Sequence, residues 1–338
     1  MKTKPHPVTL PEEELVQLLS RFREQRVAVL GDVGIDRYTQ GRVDRISPEA
    51  PVPIVAVEKE TLKLGLAANV ADNIVALGGN AELTGVVGKD KDAHDLEALL
   101  KEKTLPVSGL VPDSSRRTIL KERIVAETQQ MLRVDYEDTH SLSSVIQKRV
   151  LSSALKAVKR STALIIEDYS KGLLNEVMLK AVITEARKRK IPVLVDPHLK
   201  TPARWYSGAT LLTPNKKEAE ALAGMKIESD ETLLRAGHTI MKETRADSLI
   251  ITLGKDGMAI FKNAQAKPVL IPTFAREVYD VSGAGDTVIS VLALSLASGA
   301  KLEEAAFVSN LAAGVEVSKR GTATVSPQEI IQAYLSSS

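Results

Sequence analysis

The chain has 338 residues, with 45 lysines and arginines against 43 aspartates and glutamates, which leaves a formal net charge of +2. This balance and an aromatic content of only 3% argue against a nucleic-acid partner, which would need a basic surface or side chains that stack on bases. Cysteine is absent, so disulfides, thiolate metal sites and a cysteine nucleophile are excluded.

The first 25 residues are predicted to form an N-terminal extension, and residues 26–335 a single domain. Pro11 is followed by three glutamates and then by apolar residues at helical spacing, which predicts a short amphipathic helix. The first ten residues contain two prolines and no apolar segment typical of a signal peptide. No run of about 18 apolar residues predicts a membrane span. We therefore expect a soluble, cytoplasmic protein with no membrane partner.

The strand predicted at 27–30 ends in Gly31 and Asp32, and Asp36 follows four residues after Asp32. Ligands of open α/β sheets bind at the carboxyl ends of the strands. Asp36 can therefore accept hydrogen bonds from sugar hydroxyl groups, although an Asx-turn explains the same spacing equally well.

Two segments predict a small β-lid rather than a second domain. Three prolines between residues 42 and 57 exclude a central strand but suit an edge strand or an irregular arm. Residues 116–126 alternate between polar and apolar side chains and 129–135 continue the pattern, as expected of a strand pair. The lid strands are thus predicted within about 38–60 and 115–136.

Predicted strands and helices alternate from about residue 80 onward. Before this point, residues 64–78 predict a turn of small residues that enters a helix ending near Gly78. The later strands are predicted at 81–87, 163–166, 192–195 and 209–212, and the helices at 93–103, 141–160 and 175–190. The alternation predicts an α/β fold built on a doubly wound, mostly parallel sheet. No Gly-x-x-x-x-Gly-Lys-Ser/Thr sequence occurs, so a P-loop kinase is excluded.

Asn215 and Glu218 follow the strand predicted at 209–212 and lie three residues apart, on one face of a helix. This spacing suits either a ligand site or a capping box, in which each side chain bonds the other residue's backbone N–H. Further on, residues 248–261 predict a strand, a turn with Gly254 and Gly257, and a second strand.

The stretch from Gly283 to Asp286 is the most informative in the chain. Its small residues allow close approach to a ligand, and the apolar run that follows predicts a buried helix beginning here. The N–H groups of Gly283, Ala284 and Gly285 are expected to form an anion site at the positive end of the helix dipole. Asp286 beside them can take a proton from an attacking hydroxyl while the anion site holds developing phosphate charge. For these four residues alone, a glycine turn with an aspartate cap is the alternative.

The sequence Asp-Val-Ser-Gly-Ala-Gly-Asp at 280–286 resembles the C-terminal signature of the ribokinase, or PfkB-type, carbohydrate kinases. The resemblance implies a ribokinase fold, ATP as phosphoryl donor, and Asp286 as the catalytic base. It implies that Glu218 holds Mg²⁺ through water, which suits a cation that keeps several of its waters. The loop at 320–323 resembles the part of the site that, with the Asp280 region, holds a monovalent cation such as K⁺ in many relatives. The ATP-binding residues implied are Asn215, Lys216, Lys217, Glu218, Thr252, Gly254, Gly257 and Asn310.

A more specific resemblance is to the heptose-7-phosphate kinases of lipopolysaccharide precursor synthesis. It is carried by Gly-Asp-x-x-x-Asp-Arg-Tyr at 31–38, by Arg-Ile-Ser-Pro-Glu-Ala-Pro-Val-Pro at 45–53, and by the charged pattern at 121–135. It implies phosphorylation of O1 of D-glycero-β-D-manno-heptose 7-phosphate to the 1,7-bisphosphate, by a homodimer paired through the lid. For the lid cations, which would grip the sugar phosphate, a solvated strand face is the alternative. The substrate-binding residues implied are Asp36, Arg45, Gly65, Asn69, Lys121, Arg123, Arg133 and Lys171.

Two positions depart from the family pattern. Leu66 stands where relatives have the second glycine of a pair that hinges the lid, and a positive φ there would strain a leucine. His198 stands where relatives often have a lysine. Two alternatives therefore stay open: another sugar, sugar phosphate or nucleoside as acceptor, and a catalytically silent sugar-binding or scaffold member of the fold. The length is expected to leave no room for the nucleotidyltransferase domain of bifunctional relatives.

Overall fold

The computed structural model describes residues 8–127, 129–275, 278–319, 321 and 323–337. The helix predicted near the N-terminus is present as α1 (Glu12–Ser20), which buries Leu15, Leu18 and Leu19. Its first turn consists of three glutamates, which lie at the positive end of the helix dipole. The first seven residues of the predicted extension lie outside the described residues.

Thirteen strands and nine further α-helices follow in the described part of the chain. The strands are β1 (Arg26–Gly31), β2 (Val33–Ile46), β3 (Pro53–Leu66), β4 (Asn80–Val87), β5 (Leu110–Pro112), β6 (Ile119–Ala126), β7 (Gln129–Tyr136), β8 (Ala163–Glu167), β9 (Val193–Asp196), β10 (Leu211–Leu212), β11 (Ser248–Thr252), β12 (Met258–Phe261) and β13 (Val269–Ile271). The helices are α2 (Ala67–Ala76), α3 (Lys91–Glu102), α4 (Ser144–Arg160), α5 (Glu176–Lys188), α6 (Lys216–Ala223), α7 (Asp230–Thr244), α8 (Ala284–Ala297), α9 (Leu302–Glu316) and α10 (Pro327–Ser337).

Nine of these strands form the main sheet, in the order β13-β12-β11-β10-β9-β8-β1-β4-β5. The strands from β11 to β5 are parallel to one another, whereas β12 and β13 run antiparallel at one edge. The chain places β4 and β5 on one side of β1 and then β8, β9 and β10 on the other. This is the doubly wound arrangement predicted, and the order reverses at the carboxyl ends of β1 and β8, where such sheets bind ligands.

Helices cover both faces of the main sheet. Val27 and Val29 of β1 point into a core that includes α1, α2, α3, α8, α9 and α10. Ala28 and Leu30 point into a second core with α4, α5, α6 and α7. In the part of the chain that the structure describes, no helix has the length and apolar character needed to span a membrane.

A second sheet forms the lid, with the strand order β3-β2-β6-β7. β2 and β3 are an antiparallel hairpin, β6 and β7 are another, and β2 runs parallel to β6 between them. A β-lid is thus present as predicted, with β2 starting at Val33, immediately after the main-sheet strand β1.

One predicted boundary is wrong. Residues 64–66 do not form a turn but complete β3, and α2 begins at the next residue, Ala67. The change of direction occurs at Leu66 alone, whose backbone has φ +58° and ψ −139°. A single residue with positive φ can change the direction of the backbone without a loop. The small residues at 64–68 predicted a turn here and did not show that β3 continues to Leu66.

Candidate active site

Helix α8 begins at the stretch where the sequence predicts it. Gly283 is the N-cap residue and has φ of +97°, a conformation that favours glycine. The first helical bond runs from the N–H of Thr287 to the carbonyl of Gly283, at 3.0 Å. The N–H groups of the first turn have no partners within a helix, so Gly285 and Asp286 present theirs to the cleft.

The Asp286 carboxylate accepts hydrogen bonds from two other elements. Asn69, in the first turn of α2, donates from Nδ2 to Oδ2 at 2.6 Å. The hydroxyl of Tyr169, two residues after β8, donates to Oδ1 at 3.2 Å. Burial raises the pKa of Asp286 to about 6, and the two hydrogen bonds oppose this rise. Asp286 is therefore ionised at neutral pH but more basic than an exposed aspartate, which suits a general base.

Buried hydrogen bonds between α2 and α8 fix the position of Asn69. Asn73 donates to the Asn69 carbonyl at 2.9 Å and accepts from the Thr287 hydroxyl at 2.9 Å. One turn further, the Ser290 hydroxyl lies 3.2 Å from the carbonyl of Val70. These contacts join the first turns of the two helices, so Asn69 and Asp286 are held as one unit.

Leu66 is the N-cap residue of α2, the helix that carries Asn69. It precedes α2, its side chain is 7% exposed, and its positive φ is rare for any residue with a Cβ. A glycine at this position would adopt the same backbone without strain. Because the Leu66 side chain is buried, its packing in the core can offset the backbone strain.

The acceptor-side residues predicted from the lid come together near Asp286. Asp36 forms an ion pair with Arg123 at 2.8 Å, and the ammonium group of Lys121 lies 5.5 Å from the ring centroid of Tyr169. Burial lowers the pKa of Lys121, while the charge of Asp36 opposes this. Gly65 packs against Asp36 so closely that a Cβ would lie 3.3 Å from the carboxyl carbon. A larger residue at position 65 would displace Asp36.

Lys171 lies at the edge of this group. Its Nζ pairs with Glu137 at 2.6 Å, and its backbone N–H donates to buried Asp32 at 3.1 Å. The charge of Lys171 contributes to the lowered pKa of Lys121, after the larger effect of burial. The two lysines therefore face one region, as expected of residues that share an anionic ligand.

The other two predicted substrate-binding residues differ in how near they lie to this group. Arg133 stands directly opposite Arg123 on the neighbouring strand β7, and its charge also contributes to the lowered pKa of Lys121. Its side chain is exposed and pairs with Asp135 of its own strand at 2.8 Å.

Arg45 is exposed near the end of the β2–β3 hairpin, where it faces Ile54 across the ladder. Nine residues of extended strand, about 30 Å, separate Arg45 from Asp36. Within one chain the structure does not bring Arg45 to the site, because the prolines that carry the resemblance lie at the outer end of the lid.

A cavity of about 550 Å³ lies between the lid and the segment before α8. The ring of Tyr38 forms part of its wall, with Lys63 Nζ at 5.5 Å and the Arg123 guanidinium at 5.3 Å from the ring centroid. Sequence reasoning missed Lys59, Thr61 and Lys63, although their alternation along β3 places them on one face of the strand. Other residues lining the cavity are Gln40, Val125, Glu127, Gln130, Tyr279, Asp280, Ser282 and Gly321.

The residues predicted to bind ATP line two adjoining cavities on the other side of the α8 N-terminus. The first, of about 340 Å³, is largely apolar and includes Thr252, Gly254, Gly257, Val278, Val288, Asn310 and Gly314. The second, of about 520 Å³, includes Asp196, Thr213, Asn215, Lys216, Lys217, Glu218 and Gly285. Asn310 is anchored there by a hydrogen bond from its Nδ2 to the Pro272 carbonyl at 2.7 Å. The structure thus collects the predicted nucleotide residues around one end of α8.

The capping alternative for Asn215 and Glu218 is present in the structure. Asn215 accepts from the Glu218 N–H at 3.1 Å, and Glu218 accepts from the Asn215 N–H at 2.8 Å. Burial raises the pKa of Glu218, and the hydrogen bond from Asn215 opposes this. One oxygen of Glu218 is used by the capping box, which fixes the carboxylate at the wall of the cavity.

Two further carboxylates face the same region. Glu167 is buried at the end of β8 and its Oε1 has no hydrogen-bond partner among the described residues, while Asp196 Oδ2 would lie 3.8 Å from a Cβ on Gly285. Burial raises the pKa of both carboxyl groups well above the usual range. Repulsion by neighbouring acids, chiefly Asp196 for Glu167 and Glu218 for Asp196, raises these pKa values further. Among the described residues no three acidic or histidine side chains converge as a metal cluster. A divalent cation here would need water or phosphate oxygens as well, which suits Mg²⁺.

Glu316, at the end of α9, is a buried acid beneath the segment that precedes α8. Its side chain is 1% exposed and neither oxygen makes a regular hydrogen bond in the described part of the chain. Burial raises the pKa of Glu316 to about 8, and Asp280 raises it further, whereas the Ala323 N–H and Lys319 oppose the rise. Of the predicted cation loop at 320–323, Arg320 and Thr322 lie outside the described residues, as do Arg276 and Glu277 before the signature.

Comparisons with known proteins agree with this geometry. A family model described as pfkB family carbohydrate kinase matches residues 24–329. The Bifunctional protein HldE of Geotalea uraniireducens is 43% identical over 322 residues, which cover 95% of this chain and 65% of the relative. The protein of the same name from Geobacter sulfurreducens is 44% identical over 303 residues, or 90% of this chain and 61% of the relative. The chain thus spans less than two thirds of the length of these relatives.

Solved structures share the fold at lower identity. Ribokinase of Arabidopsis thaliana, complexed with ribose and ATP, has a TM-score of 0.73 and 18% identity, covering 91% of this chain and 98% of that one. Phosphofructokinase-2 of Escherichia coli, in complex with potassium, has a TM-score of 0.76 and 22% identity, covering 92% and 99%. These likenesses confirm the predicted ribokinase-like α/β fold.

Proposed function

The chain belongs to the pfkB family of carbohydrate kinases, and on this basis we propose that it transfers the γ-phosphoryl group of ATP to O1 of D-glycero-β-D-manno-heptose 7-phosphate. The product is the 1,7-bisphosphate, a step toward the activated heptose of lipopolysaccharide. The observation that carries the proposal is Asp286, which lies in the first turn of α8 between a basic lid cavity and the nucleotide cavities. The HldE relatives and the string at 45–53 favour heptose 7-phosphate over other acceptors.

In the proposed step, O1 attacks the γ-phosphorus, the bond to the β–γ bridging oxygen breaks, and the O1 proton passes to Asp286. Asn69 and Tyr169 hold the carboxylate toward the acceptor. The N–H groups at the start of α8 stabilise the negative charge of the transferring group. Little covalent chemistry is required of the protein in phosphoryl transfer, so positioning and charge stabilisation carry the rate.

Mg²⁺ is proposed to bind beside the nucleotide phosphates, near Glu218 and Asp196. The donor set fits this ion, because it consists of carboxylates, and Glu167 nearby keeps an oxygen without a partner. When bound, the cation would neutralise phosphate charge. Lys216 and Lys217, at the same wall, would contact the phosphates.

A monovalent cation such as K⁺ is proposed to bind beneath the segment at 278–283. Glu316 fits such an ion, because its carboxylate is buried beside Asp280 with both oxygens lacking regular hydrogen bonds. A cation there would keep Glu316 ionised and support the backbone from which α8 begins.

The 7-phosphate of the acceptor is proposed to occupy the lid cavity. Arg123 is already positioned by Asp36, and Lys59 and Lys63 add two cations on the opposite strand. With Lys121 and Lys171 nearer Asp286, the cations extend from the reacting end toward the distal phosphate. A guanidinium and several ammonium groups match the geometry of a phosphomonoester.

A homodimer paired through the lid is proposed as the working form. Support comes from large apolar side chains that the lid leaves exposed in one chain, which marks an interaction surface. Pairing through the lid would also bring Arg45 against the second subunit. Within its own chain, Arg45 cannot reach the candidate active site. The exposed lid residues are Ile46, Val52, Val57, Met131 and Leu132.

The test is ADP release with ATP, Mg²⁺ and heptose 7-phosphate, beside fructose 6-phosphate and ribose. We expect strong turnover with the heptose phosphate and little with the other two. Turnover with another sugar would support the proposed kinase activity and contradict heptose 7-phosphate as the acceptor. Nucleotide binding without turnover on any sugar would favour the catalytically silent alternative, for which the strained Leu66 would be the first residue to revert to glycine.

A further inference from the structure

A cavity of about 590 Å³ lies on the flank of the main sheet and shares no residue with the cavities of the candidate active site. Its walls are the first half of β4, the segment at 108–111 and the exposed face of α4. The active site lies at the carboxyl ends of the parallel strands, whereas residues 82–84 precede the carboxyl end of β4 by several residues. The cavity is therefore a separate feature of the molecule.

The charge of this cavity is strongly positive although that of the whole chain is nearly balanced. Helix α4 contributes Lys148, Arg149, Lys156 and Arg160 to its lining. The acid that lines it, Glu82, is already paired with Arg26 of β1 at 2.7 Å. The local excess is thus four cations.

Three of these cations have no partner among the residues that the structure describes. Lys148, Lys156 and Arg160 are exposed and make no ion pair or hydrogen bond with any residue that the structure describes. Arg149 makes a long contact, 3.5 Å, with the carbonyl of Pro112. These three side chains line the cavity, so their donors are available to an anion within it.

The helix dipole does not explain this arrangement. Positive charge is favourable in the last turn of α4, where Arg160 lies, but not near its first turn, where Lys148 and Arg149 lie. Lys156 and Arg160 are four residues apart, a spacing at which like charges repel on a helix. A bound anion would remove this repulsion.

We propose that the cavity binds a small anion carrying two or more phosphate groups. Its volume is that of a small-molecule site, and guanidinium and ammonium groups are the side chains that hold phosphate. The hydroxyls of Thr84, Ser108, Ser152 and Ser153 add donors along the same walls. The residues that the structure describes around the cavity include no aromatic ring, which favours recognition of the phosphates over stacking on a base. The inference is independent of the acceptor sugar.

Calorimetric titration of the full chain with sodium tripolyphosphate tests the proposal. Wild type is compared with the double variant Lys148→Gln/Lys156→Gln and with a matched control, Lys159→Gln/Lys180→Gln, which removes two exposed lysines outside the cavity. We expect the cavity variant to lose affinity in one binding event by about tenfold or more, because two charge-assisted contacts are removed. The control should stay within about twofold of wild type.

The KM for ATP, measured in all three proteins, separates this event from binding at the active site, and should be unchanged. A parallel titration with ATP assigns the ligand: the same loss with ATP supports a nucleotide, and a loss with tripolyphosphate alone supports an inorganic polyphosphate. If all three proteins bind tripolyphosphate with the same stoichiometry and affinity, or if none binds it outside the active site, the proposal is overturned.

Discussion

Asp286 combines two opposing influences on one carboxyl group. Burial favours the protonated form, and hydrogen bonds from Asn69 and Tyr169 favour the ionised form, with a net pKa of about 6. A base must be ionised to accept a proton, so the rate should fall as pH decreases through this value. With Asp286 as the proposed base, the two donors would extend the activity further into the acid range.

The first prediction concerns this balance. At saturating ATP, kcat/KM for the acceptor sugar should decline below about pH 6. Tyr169→Phe should move this decline to higher pH, because it removes a hydrogen bond that stabilises the carboxylate. The measurement is the pH profile of kcat/KM for both proteins. If the decline came from titration of the substrate phosphates, its midpoint would be the same in wild type and Tyr169→Phe. An identical midpoint in the two proteins would therefore contradict the proposed role of Asp286.

Glu316 should reduce stability at alkaline pH. Its pKa of about 8 in the folded protein lies above its usual value of 4.5. The free energy of unfolding is therefore unaffected by Glu316 below about pH 4.5, and it decreases as pH rises towards about 8. Glu316→Gln cannot ionise and should have a higher Tm than wild type at about pH 8.5, with little difference at about pH 4.5. Glu228→Gln, at an exposed position, is the control.

Thermal melts in a potassium-free buffer measure this effect, and added KCl should reduce the difference if a cation binds at Glu316. The prediction would be contradicted if Glu316→Gln had a lower Tm than wild type at both pH values, because the carboxyl group would then stabilise the fold in both its protonated and its ionised form.

Leu66 presents a conflict between packing and backbone strain. Leu66→Ala removes buried apolar atoms and keeps the positive φ, at a cost of about 2–5 kcal/mol. Leu66→Gly removes the same atoms but also relieves strain of about 1–3 kcal/mol. Denaturant unfolding should therefore find the glycine variant more stable than the alanine variant by about 1 kcal/mol, despite its smaller residue. Equal or reversed stabilities would show that position 66 is unstrained.

At the scale of elements, hydrophobic periodicity predicted most of the strands and helices, and small residues predicted where α8 begins. The same signals could not predict which face of β3 carries Lys59 and Lys63, because this requires the register of the lid. Tyr169 was missed as a partner of Asp286 because 117 residues separate them. Arg45 was assigned from a motif alone, and the length of the β2–β3 hairpin places it far from the site.

The lid supplies a prediction at this scale. Leu132 is 54% exposed on β7, and a charge there should disrupt a lid-mediated dimer. Leu132→Asp is expected to sediment as a monomer in analytical ultracentrifugation. Val177→Asp on α5, where Val177 is 75% exposed, is the matched control and should leave the assembly unchanged. Identical sedimentation of both variants and wild type would exclude a dimer held by this surface.

At the scale of the whole molecule, the doubly wound sheet places the proposed base and the proposed nucleotide-binding residues at one end. The order reverses between β1 and β8, so Asp32, Tyr169 and the start of α8 meet there. The lid closes one side of this end and the nucleotide cavities occupy the other. Asp286 therefore lies between the cavity proposed for the acceptor and the cavities proposed for ATP.

The measurement that tests this account most directly is ³¹P NMR of the reaction of heptose 7-phosphate with ATP and Mg²⁺, using wild type and Asp286→Asn. Wild type should yield ADP and a sugar with two phosphate esters, one of them anomeric. Asp286→Asn should fold with the same Tm but turn over about 10²- to 10⁴-fold more slowly, the usual contribution of a general base. A bisphosphate formed at near-normal rate by Asp286→Asn, or ADP accompanied only by inorganic phosphate in wild type, would contradict the account.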